Sequence, residues 1–240
     1  MRGKLTFLAL GLCGLAQANV ITQWNFNTLD GNGSTGTLSP SIGAGTVAPI
    51  GGVSSFFGFA SGSSDPEVNS EDSAWGIGNL PPQGTASGTA GMEGLVSTVG
   101  FQSIFLSVDV KTQFSSSKYY QVQYRLTNGG AWNAAATYGI VVEDVWENQK
   151  TFDLSAINIG VENNAQFGFR IVAVFKPGTQ QYAGMNDLPG SYGGFGTLND
   201  MLTISGTPVP EPASLVAFGI GALGLAGFRR RNARMKSFSK

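Results

Sequence analysis

The residues of this chain that could do chemistry are carboxylates. The 240-residue sequence has no histidine and a single cysteine, Cys13. Imidazole general bases, Ser-His-Asp triads and imidazole metal sites are therefore excluded. Two acidic groups could supply the paired carboxylates of a glycoside hydrolase. They are Asp65, Glu67, Glu71 and Asp72, and Glu143, Asp144 and Glu147. Neither spacing fixes two carboxyls across a cleft, and solvated loops explain both groups. No catalytic residue is assigned, and the chain is predicted not to be an enzyme.

Aromatic rings are the other candidate functional groups, because the C–H groups of a pyranose stack on indole and phenol rings. Trp132, Tyr138 and Trp146 lie near predicted loops or strand edges. We take them as the candidate glycan-binding residues, with burial in the core as the alternative for each. Trp24 and Trp75 lie within apolar strands and are predicted to be core residues.

Short β-strands are the elements that must position these side chains. Apolar residues alternate with others along 103–111, 119–126 and 167–175, which is the pattern of strands with one buried face. Further strands are predicted over 20–26, 56–59, 75–77, 92–96, 138–145, 151–154 and 201–205. No stretch between the two ends repeats apolar residues at helical spacing for three turns. The sequence therefore predicts an all-β, jelly-roll-type β-sandwich over residues 19–208.

Two long segments between the strands are rich in glycine and serine. They span residues 28–52 and 60–91. Loops of this length are either functional or poorly ordered. We interpret both as flexible surface, and a functional role is the alternative.

The N-terminal end has the pattern of a secretory signal peptide. A basic start is followed by an apolar run over 5–15 and by small residues at Ala16 and Ala18. We expect a signal-peptide helix over 1–18, use of the Sec translocon, and cleavage by signal peptidase after Ala18. Cys13 would leave with this peptide, so the mature chain forms no disulfide.

The predicted mature domain is acidic. Residues 19–208 hold 6 of the 14 basic and 14 of the 15 acidic residues, which gives a net charge near −8. Nucleic acid needs clustered Lys and Arg, so it is not expected as a partner. The charge favours solubility and divalent-cation binding.

The C-terminal end has three parts in order. Val209, Pro210, Glu211 and Pro212 are followed by an apolar run over 213–228 and then by Arg229, Arg230 and Arg231. Sixteen residues at about 1.5 Å each give a helix of roughly 24 Å, shorter than the ~30 Å hydrocarbon core. We predict a weakly held transmembrane helix over 213–228 with its basic tail on the cytoplasmic side. The two prolines hold Glu211 in an extended backbone just outside it.

This ending resembles the PEP-CTERM sorting signal of Gram-negative bacteria that make extracellular polysaccharide. The resemblance covers 209–236 and implies processing by an exosortase, a membrane protease-transpeptidase. In that family the enzyme removes the helix and basic tail and passes the domain to the cell surface or its polymer. The implied location is the inner membrane transiently, and then the cell surface or extracellular matrix.

The body of the chain also resembles the jelly-roll, lectin-like domains that often precede this signal. The resemblance rests on a diffuse pattern that includes 97–111, 119–126, 152–155, 167–172 and 199–201. It implies a structural Ca²⁺ between the loop after the first strand and the last strand, which points to Asp30 and Asp200. Both offer the hard oxygen ligands that Ca²⁺ requires. An Asx-stabilised turn is the alternative for Asp30.

Together these patterns predict an exported, non-enzymatic surface or matrix protein associated with exopolysaccharide or biofilm. A carbohydrate-binding module with a defined glycan ligand is the alternative, followed by a glycosidase or lyase.

Overall fold

The structure is a computed structural model that describes residues 18–67 and 70–209. Twelve β-strands account for its regular structure, with two single-turn 3₁₀ helices at Ile159–Val161 and Pro189–Ser191. The strands are β1 Asn19–Trp24, β2 Ile42–Gly43, β3 Gly45–Ile50, β4 Ser54–Phe59, β5 Ser73–Gly78, β6 Gly91–Val96, β7 Phe101–Thr112, β8 Tyr119–Arg125, β9 Asn133–Gly139, β10 Glu147–Asp153, β11 Phe167–Ala173 and β12 Thr197–Pro208.

The strands form two sheets in which every neighbouring pair is antiparallel. One sheet has seven strands in the order β10-β7-β12-β1-β2, with β5 beside β12 and β4 beside β5. The other has five strands in the order β3-β6-β11-β8-β9. The apolar faces of both sheets contribute to one core, and this arrangement confirms the predicted all-β sandwich.

Alternation along the strands builds that core. On β7, Ile104 and Leu106 are fully buried while their neighbours are half-exposed. Trp24 of β1 packs on Phe169 of β11 with ring centroids 6.1 Å apart, which joins the two sheets. The indole N–H of Trp24 donates to the Leu38 carbonyl at 3.1 Å. Trp75 is also fully buried, so both tryptophans are core residues as predicted.

The segment over 28–52 is more ordered than we predicted. It contains β2 and β3, and β3 extends the five-stranded sheet by pairing with β6 along six residues. Its glycines receive aromatic rings from β4. A Cβ added at Gly33 would stand 2.6 Å from the ring of Phe59, and one at Gly36 would overlap Phe57. The glycines therefore allow close packing here, and the interpretation as flexible surface is wrong.

The strand predicted over 138–145 is displaced. The observed strand is β9, which ends at Gly139, and 140–146 forms a connection to β10. Asp144 has a left-handed φ of 54° and donates its backbone N–H to the Thr112 carbonyl at 2.7 Å. The apolar residues Val141 and Val142, which suggested the strand, are exposed.

A change of partner along β12 creates a fork in the seven-stranded sheet. Residues 197–199 pair with β5, whereas 202–206 pair with β1. Asp200 and Met201 lie between these two stretches. Met201 has a left-handed φ of 47°, and the register with β7 shifts at this point, as in a β-bulge. The fork places the Asp200 side chain between the ends of β1 and β5.

The two predicted terminal helices, over 1–18 and 213–228, fall almost entirely outside the described residues. Within 18–67 and 70–209, no helix has both the length and the apolar character needed to cross a membrane.

Candidate functional site

Three aspartates meet at the fork. Asp65 lies in the β4–β5 connection, Asp72 directly precedes β5, and Asp200 sits at the bulge of β12. One carboxylate oxygen from each lies within 4.8 Å of the others. Asp72 is 2% exposed and Asp200 is fully buried. We call these three residues the acidic cluster.

The surrounding strands hold the β4–β5 connection in place. Asn27, which follows β1, accepts from the backbone N–H of Ser73 at 2.7 Å and donates to Asp65 Oδ2 at 2.9 Å. Asp109 of β7 accepts from the backbone N–H of Ser64 at 2.5 Å. The acidic cluster is therefore built by side chains far apart in sequence, and the hydrogen bonds fix its geometry.

Among the described residues, several buried carboxylate oxygens in and beside the cluster have no hydrogen-bond partner. Asp72 Oδ1, Asp200 Oδ2 and Glu71 Oε2 make no hydrogen bond in the described part of the chain. The ion pairs found among those residues use Lys111, Lys150, Arg170 and Lys176, and each pairs with a carboxylate outside the cluster. An unpaired buried carboxylate is costly, so a proton or a cation must neutralise it.

The electrostatics of the metal-free cluster favour the protonated carboxyls. Burial, with a smaller contribution from the nearby carboxylates of Asp65 and Asp72, raises the pKa of Asp200 to about 8. Burial and the same kind of repulsion raise the pKa of Asp72 to about 6. Burial also raises the pKa of Asp65. A divalent cation would invert this balance by attracting all three carboxylates.

The donor set fits calcium. It offers several oxygens and no nitrogen or sulfur, and Ca²⁺ takes six to eight oxygen ligands in flexible geometry. Asp65 and Asp72 were not among the candidate ligands predicted from sequence, because their spacing was interpreted as a solvated acidic loop. Their signal was four acids within eight positions, Asp65 to Asp72.

Of the two calcium ligands predicted from sequence, Asp200 lies in the cluster and Asp30 does not. Asp30 is exposed and accepts hydrogen bonds from the Thr35 hydroxyl at 2.7 Å and from the backbone N–H of Asn32 at 3.0 Å. The hydrogen bond from Thr35 contributes most to lowering the pKa of the Asp30 carboxyl. Asp30 therefore closes an Asx-type turn, which is the alternative left open for it.

A second polar region covers the outer face of the five-stranded sheet. Glu93, Arg170 and Gln123 stand side by side on β6, β11 and β8. Arg170 Nη2 and Nε donate to Glu93 Oε2 at 2.7 and 2.9 Å. The row continues through Gln121, which accepts from Gln123 at 2.9 Å and donates to Thr137 at 3.1 Å. We call this surface the polar face.

Trp132 lies at one end of the polar face. The guanidinium carbons of Arg170 and Arg125 stand 4.0 and 4.6 Å from its ring centroid. Arg125 reaches this position by crossing Gly168, where an added Cβ would be 2.9 Å from its side chain. The indole remains partly exposed, so two cations orient it beside a row of hydrogen-bonding groups.

The other two predicted glycan-binding aromatics are engaged in packing. Tyr138 stacks near Tyr120 and Phe152, with centroids 6.0 and 5.1 Å apart, and its hydroxyl is buried. Burial raises the pKa of the Tyr138 phenol. The indole N–H of Trp146 donates to the Ser61 carbonyl at 3.0 Å and so secures the β4–β5 connection. Tyr138 therefore packs against the core, in line with the alternative predicted for it, whereas Trp146 is partly exposed and contacts the β4–β5 connection.

The C-terminal residues 208–231 match the family described as PEP-CTERM protein-sorting motif. Only Pro208 and Val209 of this match fall within the described residues. Ala16 and the sorting residues Pro210, Glu211, Pro212, Arg229, Arg230 and Arg231 lie outside them, and Ala18 is the first residue described. A search of curated proteins finds no match.

Solved structures resemble the sandwich at low identity. The K1 cleaved adhesin domain of Lys-gingipain from Porphyromonas gingivalis W83 is 13% identical, with a TM-score of 0.42 over 81% of this chain and 98% of that one. A xylan-binding domain from CBM 22 is 11% identical, with a TM-score of 0.37 over 72% and 92%. The glycoside hydrolase domain of Endo-D from Streptococcus pneumoniae R6 is 10% identical, with a TM-score of 0.37 over 81% and 28%.

The motif match confirms the resemblance read from the C-terminal sequence. It implies an exported protein that an exosortase sorts at the membrane. In sequence, this chain carries an all-β sandwich followed by the PEP-CTERM protein-sorting motif at residues 208–231.

Proposed function

We propose that this chain is a non-enzymatic cell-surface or matrix protein that stays associated with exopolysaccharide after sorting. The match over 208–231 carries the proposal, because it supplies the route out of the cell. The exosortase would act at the Pro210–Pro212 element and remove the apolar run and the arginines. The sandwich is the part that would be displayed.

Mass spectrometry of the protein recovered from cells tests this route. We expect a mature N-terminus at Asn19 and a C-terminus that lacks Arg229, Arg230 and Arg231. Glu211→Ala should block processing and leave the basic tail attached. Wild-type protein that keeps its arginines in the inner membrane would contradict the proposal.

The polar face favours glycan binding as the mechanism of association. It has a partly exposed indole beside guanidinium, carboxylate and amide groups. The indole can stack on the C–H face of a sugar ring, and the polar groups can hydrogen-bond its hydroxyls. The polysaccharide made by the same cells should therefore bind the isolated sandwich. Trp132→Ala should weaken that binding.

Trp146→Phe is the matched control, measured in excess Ca²⁺ because Trp146 contacts the connection that holds Asp65. It should leave glycan binding unchanged. Equal binding by wild type and Trp132→Ala would remove the polar face from consideration.

We also propose that the acidic cluster binds Ca²⁺ and stabilises the displayed domain. Extracellular calcium modules bind with dissociation constants of about 10⁻⁴ to 10⁻³ M. A site of that strength would fill outside the cell, where the sorting motif sends the chain. In this proposal the buried carboxylates stabilise the fold by binding Ca²⁺, and they do not catalyse a reaction.

The same burial argues against catalysis by the cluster. Glycosidases place two carboxyls on either side of the scissile bond of a bound substrate, whereas the side chains of Asp72 and Asp200 are buried. Incubation with the native polysaccharide should release no reducing ends. Turnover that Asp72→Asn abolishes would contradict the non-enzymatic assignment.

A further inference from the structure

A groove of about 550 Å³ lies on the outer face of the seven-stranded sheet. The sheet's inward side is taken by Trp75 and Ile77 of β5, so Gly78 and the neighbouring Gly76 face outward. The groove runs between β4 and the segment 193–196, over the first residues of β12. Its position is separate from both the acidic cluster and the polar face.

Phe56 forms one wall of the groove. Its ring lies on Gly76, where any added Cβ would overlap ring atoms. One side of the ring therefore packs on the strand, while the side chain remains 50% exposed. A phenyl ring fixed in this way offers an open apolar surface without further ordering cost.

Phe195 forms the facing wall and is 58% exposed. The following residue, Gly196, presses against the carbonyl of Ile77 so closely that no side chain fits there. The carbonyl of Gly196 accepts from the Ser116 hydroxyl at 2.5 Å, and that of Gly194 accepts from the Leu80 N–H at 2.8 Å. The backbone on both sides of Phe195 is therefore anchored, which fixes where its side chain enters the groove wall.

The polar lining is rich in hydrogen-bonding groups and its charges cancel. Lys111 Nζ lies 3.0 Å from Asp144 Oδ1, and the Asp144 side chain is 75% exposed. Ser54, Asn79 and Gln113 add exposed hydroxyl and amide groups. The predicted net charge of the domain, near −8, would repel anions. The groove therefore suits an uncharged ligand that combines apolar C–H faces with many hydroxyls.

We propose that this groove binds a short stretch of neutral saccharide, with its pyranose faces against Phe56 and Phe195. The inference rests on the proposed contact with polysaccharide, and it names the class of sugar and a second place for it. The ion pair of Lys111 and Asp144, with the amides nearby, would hydrogen-bond the hydroxyls.

Titration with cellotetraose, xylotetraose, mannotetraose and tetragalacturonate, followed by calorimetry and by ¹H–¹⁵N spectra, tests the proposal. At least one neutral tetrasaccharide should bind and shift the amide signals of Phe56, Phe195 and Gly196. Phe56→Ala and Phe195→Ala should each weaken that binding about tenfold, a change of about 1.4 kcal/mol. Tetragalacturonate should bind more weakly than the neutral sugars.

Phe59→Ala is the matched control, because Phe59 has the same 58% exposure as Phe195 and does not line the groove. It should leave the affinity unchanged, and unaltered spectra elsewhere would show that each variant is folded. Absence of binding by all three neutral sugars, preference for tetragalacturonate, or binding insensitive to both groove variants would overturn the proposal.

The outcome is separable from the proposed function. Binding that Trp132→Ala removes and Phe56→Ala leaves intact would overturn the groove and keep glycan recognition on the polar face. The Glu211→Ala processing experiment tests the sorting route and neither of these surfaces.

Discussion

The acidic cluster and the polar face differ in whether their carboxylates have partners. Both place charged side chains on a β-sheet scaffold. In the polar face, the Glu93 carboxylate is paired with Arg170 and the amides bond to one another, while Arg125 at the edge of the face packs on Trp132. In the cluster, buried oxygens of Asp72 and Asp200 lack partners among the described residues.

This difference indicates two roles. A surface whose carboxylate is already paired needs no bound cation to stay folded and can meet a ligand. A buried region with unpaired carboxylates depends on something else for its stability. Perturbing the cluster should therefore change folding strongly, whereas perturbing the polar face should change it little.

Removal of calcium should have the largest effect. At a free Ca²⁺ concentration 100 times the dissociation constant, binding stabilises the folded state by about 2.7 kcal/mol. For a domain of this size, each kcal/mol corresponds to roughly 2 to 4 °C. Thermal melting in excess chelator should therefore fall by about 5 to 10 °C relative to Ca²⁺ at 100 times its dissociation constant. The same melting temperature in both conditions would contradict the claim that the acidic cluster, unlike the polar face, depends on a bound cation for its stability.

Asp200→Asn should separate ion binding from charge repulsion. The amide retains the size of the side chain and cannot ionise, so it avoids the cost of burying an ionisable carboxyl. We expect a variant whose melting temperature no longer responds to Ca²⁺ and which, in chelator, melts at or above the temperature of the wild type. Asp30→Asn is the control and should keep the full response, because Asp30 closes a separate turn. A full Ca²⁺ response in Asp200→Asn would contradict the assignment.

The stability of the metal-free protein should depend on pH, with a smaller effect than that of calcium removal. Unfolded aspartates ionise near 3.8, whereas the pKa values of Asp72 and Asp200 in the fold are raised to about 6 and about 8. The folded state therefore holds more protons between these values, and the free energy of unfolding falls as the pH rises from about 5 to 8. Ca²⁺ should remove most of this decline. Denaturant unfolding at several pH values, with and without chelator, measures it.

Glu93→Gln on the polar face should have the smallest effect. The ion pair with Arg170 is about a quarter exposed, and pairs near the surface contribute about 0 to 1 kcal/mol. The melting temperature should fall by no more than a few degrees and should keep its response to Ca²⁺. A loss comparable to that of chelation would show that the polar face supports the fold as strongly as the cluster does.

Much of the sandwich was predictable because burial on one face leaves a period of two in the sequence. Along β7, Ile104, Leu106 and Val108 follow that period and are fully buried. β3 was missed because it carries a glycine and Pro49. It is an edge strand, where a proline is tolerated because one side of the strand is unpaired.

One of the three residues of the candidate metal centre was predicted from sequence. Asp200 was singled out through the resemblance to jelly-roll domains, while Asp65 and Asp72 were set aside as loop acids. They are more than 120 positions from Asp200 in the sequence. They lie close to it because β12 has a bulge at Asp200, where its pairing partner changes from β5 to β1. Local patterns contain no information about such a fork.

The surroundings of Trp132 were also not predictable from local sequence patterns. The sequence placed it near a strand edge, and the structure adds the two arginines that orient it. Arg125 and Arg170 come from neighbouring strands of the sheet, so their meeting at one indole depends on register. The register was not readable from the alternation of either strand alone.

Calorimetric titration of the folded, metal-stripped sandwich with Ca²⁺ tests the central claim most directly. The account predicts saturable binding of one ion per chain in wild type and in Asp30→Asn, and loss of that binding in Asp200→Asn. Absence of binding to the wild type at millimolar Ca²⁺, or equal binding by Asp200→Asn, would contradict it.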